Sequence, residues 1–200
     1  MRNISYLSLF RSEPFDWSWV EQGLYDTEDN KKREELIDRE IELLNSYLLE
    51  SSPVDRYWLH PLIAQYFRYK LEQNQPAEAK KQNFCQVMIE IARSIPINPN
   101  PEDAKKVALA IPHLSNAATE LIDYVNDEDL IYLFVGLARF HQARQAYDIA
   151  ENWYKQSVEI CTNRLGKEHP DVNTSINNLA ELYRLQKRDE EAEHLFFLLN

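Results

Sequence analysis

The chain has 200 residues, a net charge of −11 and only 3 glycines, with 44% apolar and 28% charged side chains. At roughly 100–200 residues per domain that makes one domain or two small ones, and the apolar share excludes low-complexity disorder. Gly23, Gly136 and Gly166 each stand alone, so no glycine-rich loop of this sequence cradles a phosphate, and scarce glycine argues against an all-β fold with many tight turns. The acidity is even: residues 1–80 carry 10 basic and 15 acidic side chains, residues 81–200 carry 12 and 18. Nucleic acid and anionic membranes are therefore disfavoured partners.

The first ten residues, MRNISYLSLF, lack the apolar core and cleavage site of a signal peptide. Ile4 to Phe10 reads as a short helix. Phe15-Asp16-Trp17 opens another through Leu24, with Asp16 as N-cap and Gly23 near its end. From Lys31 to Glu50, Leu36, Ile37, Ile41, Leu44 and Leu48 recur at helical spacing. Ser51-Ser52-Pro53 signals a turn, and the aromatic run Tyr57-Trp58-Leu59-His60 suits a strand. Pro61 then starts a helix whose apolar face is Leu62, Ile63, Tyr66, Phe67 and Leu71. Helices, a short strand and a further helix outline a winged-helix module, with Leu48-Leu49-Glu50 as the second wing strand.

Asn74-Gln75-Pro76 breaks the pattern, and Ala77 to Ser94 is a long helix with Phe84, Val87, Met88 and Ile91 on one face. The prolines from Pro96 to Pro101 make a rigid connector. A helix is predicted from Pro101 to about Ile111, where Pro112 ends or kinks it, and another continues to about Val125. Asp127-Glu128-Asp129 reads as a helix start. The longest uncharged stretch near the middle, Val107 to Thr119, is interrupted by Pro112, His113 and Asn116, and nothing approaches the ~18 apolar residues of a membrane span. Cys85 and Cys161 lie in apolar helical patterns and read as reduced, buried thiols. The chain reads as cytoplasmic, with no membrane partner.

From Phe134 the sequence repeats with a period of 42 residues. Phe134, Leu137, Ala138, His141, Ala150, Glu151 and Tyr154 correspond to Ile176, Leu179, Ala180, Tyr183, Ala192, Glu193 and Phe196. The small residues let antiparallel helices approach, and the aromatics fill the gap to the next helix. One such unit cannot bury its own face, so units stack.

These residues resemble the tetratricopeptide repeat family. The usual repeat is about 34 residues, and the extra length lies in Leu165 to Val172. That linker and the stretch Thr174 to Tyr183 are similar to the kinesin-light-chain subtype. In the first half, Leu59-His60-Pro61-Leu62-Ile63 followed by Phe67-Arg68 resembles the "M-H-D-L" region of the winged helix in STAND-type signalling ATPases with NB-ARC domains. The resemblance implies a remnant sensor role for His60, since the family histidine contacts the nucleotide; here Pro61 replaces the aspartate. The ATPase core is absent from the sequence, which suggests a fragment or diverged remnant of a longer ATPase-repeat protein.

The expected fold is all-α with a minor β wing. A winged-helix-like module spans 1–75, a helical connector 76–129, and tetratricopeptide repeats 130–200, the second incomplete or uncapped. No catalytic, metal or cofactor site is expected: the five histidines lack i,i+4 partners, and no carboxylate pair sits in an apolar context. Stacked repeats form a groove lined by the first helix of each pair. Arg139 and Gln142 from the first copy, and Asn177, Asn178, Glu181 and Arg184 from the second, are the predicted contacts for a protein or peptide ligand. The apolar C-terminus, with Phe196, Phe197 and Leu199, is predicted to be covered by further repeats of a longer parent or by a second copy, which would make a homo-oligomer. The function expected is a protein–protein interaction scaffold, the sensor or regulatory part of a STAND-like assembly, and not an enzyme. The alternative is a winged-helix DNA-binding transcriptional regulator; against it, Lys31 to Glu42 holds 4 basic and 5 acidic residues and would repel phosphate.

Overall fold

The computed structural model describes residues 4–24, 38, 42–43, 45–52, 56–73 and 77–197. The chain divides into two compact units, Met1–Met88 and Ile89–Asn200. Helices dominate both, with one small antiparallel sheet in the first.

In the first unit, Ile4–Phe10 forms a 3-10 helix. Strand β1 (Phe15–Asp16) leads directly into helix α1 (Trp17–Leu24). Asp16 caps α1: its Oδ1 accepts from the Ser18 amide at 2.9 Å and the Ser18 hydroxyl at 2.6 Å. β2 (Leu49–Ser51) and β3 (Arg56–Leu59) form a hairpin in which Leu49 faces Leu59 and Glu50 faces Trp58. The aromatic strand thus has a partner strand where one is expected, one residue later than Leu48–Glu50. The Trp58 indole donates to Glu50 Oε2 at 3.1 Å, a cross-strand bond between directly paired residues. β1 adds a third strand on the free side of β3, giving the order β1-β3-β2. A two-residue strand carries no period-2 signal, and in the sequence Phe15 and Asp16 read as part of the helix start.

Helix α2 (Pro61–Gln73) follows β3, and helix α3 (Ala77–Arg93) comes next. The core of this unit is aromatic. Tyr6, Phe10, Phe15 and Phe84 are fully buried; Phe10 stacks on Phe15 at 4.5 Å and meets Phe84 edge-on at 5.1 Å. Such pairs add about 0.5–1.5 kcal/mol beyond their buried area. Gly23 is required by close approach: a Cβ there would overlap the Tyr6 hydroxyl. The helix predicted over Lys31 to Glu50 lies mostly outside the described residues. Its end is corrected: Tyr47 turns with φ 54, and Leu49 and Glu50 belong to β2.

The second unit begins within α3. Helix α4 (Pro101–Val107) has a full capping box, in which Asn100 Oδ1 accepts from the Glu102 and Asp103 amides at 2.8 and 3.0 Å. The helix expected to reach Ile111 stops at Val107, continues as a 3-10 turn (Ala108–Ala110), and restarts as α5 (Ile111–Thr119). Pro112 therefore sits in the first turn of a new helix, where its missing N–H costs nothing. α5 also falls short of the expected Val125: the Glu120 and Leu121 amides both close on the Asn116 carbonyl, and Ile122–Tyr124 forms a separate 3-10 turn.

Four helices then stack in chain order: α6 (Leu130–Ala143), α7 (Tyr147–Leu165), α8 (Pro170–Leu185) and α9 (Asp189–Phe197). The small anchors Ala138, Ala150 and Ala180 are fully buried and Ala192 is nearly so. The 42-residue period holds to the level of single hydrogen bonds. Gln145 and Lys187 take φ 59 and φ 60, and the amides that follow, Ala146 and Arg188, each donate at 2.9 Å to the carbonyls of His141 and Tyr183. This is the Schellman closure of a helix end. Arg164, near the end of α7, donates to the carbonyls of Ile122 and Val125, both at 3.0 Å, and pairs with Asp127.

Candidate partner-binding face

The first helix of each repeat is α6 and α8, so the predicted contacts fall on two comparable stripes. On α6 the stripe runs Asp129, Tyr132, Gly136, Arg139. The period carries it to Asp171, Thr174, Asn178 and Glu181 on α8. One turn further on, Gln142 corresponds to Arg184.

The α6 stripe is already occupied by the chain itself. Arg93 pairs with Asp129 and lies 4.2 Å from the Tyr132 ring centroid. Ala92 presses on Gly136, where an added Cβ would lie 2.8 Å from the Ala92 Cβ and 3.1 Å from its Cα. Arg139 donates to the Ile95 carbonyl at 3.3 Å. Gln142 is engaged too, accepting from the Tyr154 hydroxyl at 3.2 Å. Burial, partly offset by Arg139, pushes the Tyr154 phenol up to about 12, so it remains a donor.

The α8 stripe is open. Asn177 and Glu181 are exposed and Asn178 is half-buried, its Nδ2 lacking a hydrogen-bond acceptor among the described residues. Glu181 and Arg184 form an i,i+3 pair at 3.8 Å, both about three-fifths exposed; a pair so wet contributes at most about 1 kcal/mol. The six predicted contacts therefore separate into two bound within the fold, Arg139 and Gln142, and four at or near the surface of α8.

His60 is exposed at the start of α2. Its Nδ1 accepts the Leu62 amide at 3.3 Å and its carbonyl accepts from Ile63 and Ala64. His169 does the same at α8, accepting the Asp171 amide at 3.2 Å before Pro170. Both imidazoles act as N-caps before a proline. The side chains of Phe196 and Phe197, and Leu199 altogether, lie outside the described residues, as does most of Lys31 to Glu42.

One group that pattern reading missed holds the repeat pair together. Glu151 on α7 accepts from Tyr183 at 3.1 Å and Lys155 at 2.6 Å, and is gripped by Arg188, which also pairs with Glu191. Burial alone would raise the Glu151 carboxyl, but hydrogen bonds from Arg188, Lys155 and Tyr183 outweigh it and hold the group at about 2. Only the i,i+4 spacing of Glu151 and Lys155 is visible in the sequence; Arg188 is 37 residues away. Among the described residues no group of three or more His, Cys, Asp or Glu side chains is placed to hold a metal ion. Both cysteines are buried thiols outside any disulfide, and burial pushes the Cys85 thiol up to about 12, away from nucleophilic use. No described helix is long and apolar enough to cross a membrane.

This arrangement of paired, stacked helices is that of a helical-repeat module. Residues 129–196, which take in α6, α7, α8 and nearly all of α9, match the family model of the tetratricopeptide repeat. No curated protein and no solved structure matches the chain.

Proposed function

We infer that this chain is a protein–protein interaction scaffold in which the repeats at 130–200 hold a protein or peptide ligand. The carrying observation is the unequal use of two equivalent stripes. That of α6 is filled by residues 92–95, whereas that of α8 leaves Asn177 and Glu181 exposed and the buried Asn178 Nδ2 without an acceptor among the described residues. Amides suit a peptide backbone because each offers both a donor and an acceptor. Affinity capture with the intact chain and with the Asn177→Ala/Asn178→Ala variant tests the reading: a specific partner retained by the first is lost by the second. Equal capture by both overturns it.

The finer reading is the sensor or regulatory part of a STAND-like cytoplasmic assembly, with the repeats of kinesin-light-chain type. A winged-helix-like module would span 1–75 and a helical connector 76–129. The order of helix, strand, helix, hairpin and helix, with the sheet order β1-β3-β2, supports such a module. The two buried cysteines, neither in a disulfide, accord with a reducing compartment. His60 as a remnant nucleotide sensor rests on its place at the strand-to-helix junction. Self-association through Phe196, Phe197 and Leu199 rests on the apolar C-terminal sequence; light scattering that stays monomeric at high concentration overturns it. A salt-dependent mobility shift with random duplex DNA would favour the DNA-binding alternative, against which the net charge of −11 stands.

A further inference from the structure

We propose that the open stripe of α8 takes a basic peptide segment, with one arginine or lysine side chain received by Asp171 and a second by Glu181, ten residues or about 15 Å further along the helix. The proposal deepens the partner-binding reading above and rests on it. The α6 stripe serves as the template. There a guanidinium, that of Arg93, is held between the Asp129 carboxylate and the Tyr132 ring, and Asp129 is left with a side chain only 13% exposed. Forty-two residues on, Asp171 keeps the arginine-accepting carboxylate, and its side chain is 27% exposed.

The differences between the stripes set the ligand's character. Arg139, which donates to the Ile95 carbonyl, is replaced by Glu181, so the α8 stripe asks for cationic donors where the α6 stripe meets a carbonyl. Gly136, which lets α3 come close, is replaced by Asn178, so a helix cannot approach as α3 does and a more extended segment fits. Asn177 and Asn178 carry amides suited to its backbone. One cation and one imidazole stand by: Arg184 lies 3.8 Å from Glu181, and His169 Nδ1, the acceptor of the helix cap, lies 3.8 Å from Asp171. The Arg184 pair is exposed and weak, so an incoming guanidinium shares or displaces it at little cost. The net charge of −11 draws cationic segments toward the chain at long range.

A displayed library of random twelve-residue peptides, panned against the intact chain at physiological salt, provides the probe. The enriched peptides are synthesised and their Kd values measured on the wild type, on Asp171→Asn/Glu181→Gln, and on Glu181→Lys, with circular dichroism confirming the fold. The expected result is enrichment of Arg- or Lys-bearing peptides. Their affinity falls about tenfold in the double variant, as the loss of two partly exposed charge pairs implies, and further in Glu181→Lys. Enrichment of acidic or uncharged peptides overturns the proposal. So does an affinity unchanged by these substitutions but lost in Asn177→Ala/Asn178→Ala, an outcome that leaves the partner-binding reading standing. A library yielding no specific binder overturns that reading and this inference together.

Discussion

Arg188 reaches back from the turn before α9 to the carboxylate of Glu151 on α7, while its other guanidinium nitrogens hold Glu191. Its guanidinium lies 4.1 Å from the centroid of the Tyr183 ring, and Tyr183 donates to the same Glu151 carboxylate at 3.1 Å. Three successive helices are thereby tied at one point. The tie also carries a pH signature. The Glu151 carboxyl is held at about 2 against an ordinary value of 4.5. A depressed carboxylate stabilises the fold above its unfolded value and loses that contribution as pH falls through the folded one. We expect the acid unfolding of the wild type to include a component between about pH 4.5 and 2 that Glu151→Gln lacks, as read by circular dichroism in a pH series.

Gln145 and Lys187 occupy the left-handed region at matching turns of the two repeats, with φ 59 and φ 60. Glycine takes that conformation without the Cβ clash that costs other residues about 1–2 kcal/mol. Part of that gain is offset by the greater entropy of glycine in the unfolded chain. Gln145→Gly and Lys187→Gly should each stabilise the protein by about 0.5–1 kcal/mol in thermal or denaturant melts. Valine at either position should do the reverse.

Gly136 lies against Ala92 so closely that a methyl group meets backbone, not a flexible side-chain tip. Gly136→Ala gains helix propensity but overpacks the contact, and the overpacking wins by about 1–3 kcal/mol. Replacing Ala92 by glycine in the same chain should recover part of the loss. If the single variant melts no lower than the wild type, the close approach of α3 and α6 is wrong.

Ser157 and Ser175 share a hydrogen bond of 2.8 Å in the fully buried seam between α7 and α8. Removing the Ser157 hydroxyl leaves Ser175 only the weak Cys161 Sγ acceptor at 4.0 Å, so a single loss costs about 1–3 kcal/mol, whereas removing both is nearer neutral. A double-mutant cycle with Ser157→Ala and Ser175→Ala should therefore show strong non-additivity in chemical denaturation.

Much of this fold is legible along the chain because helical periodicity, caps and proline positions act locally. The 42-residue period, the Asp16 cap, the pairing of the aromatic strand with the segment around Leu49, and the anchors Ala138, Ala150 and Ala180 all follow from neighbours within a few turns or from simple internal repetition. So does the placing of candidate contacts on α6 and α8. Which of those contacts are free depends instead on residues far apart in the chain. Nothing near Arg139 announces that its guanidinium is held by the Ile95 carbonyl, 44 residues earlier, nor near Asp129 that Arg93 covers it. The grip of Arg188 on Glu151 and the docking of β1 on β3 are likewise products of packing. Local preferences set each helix and its apolar face, but the partner of an exposed charge is chosen only when chain closure brings distant segments to one place.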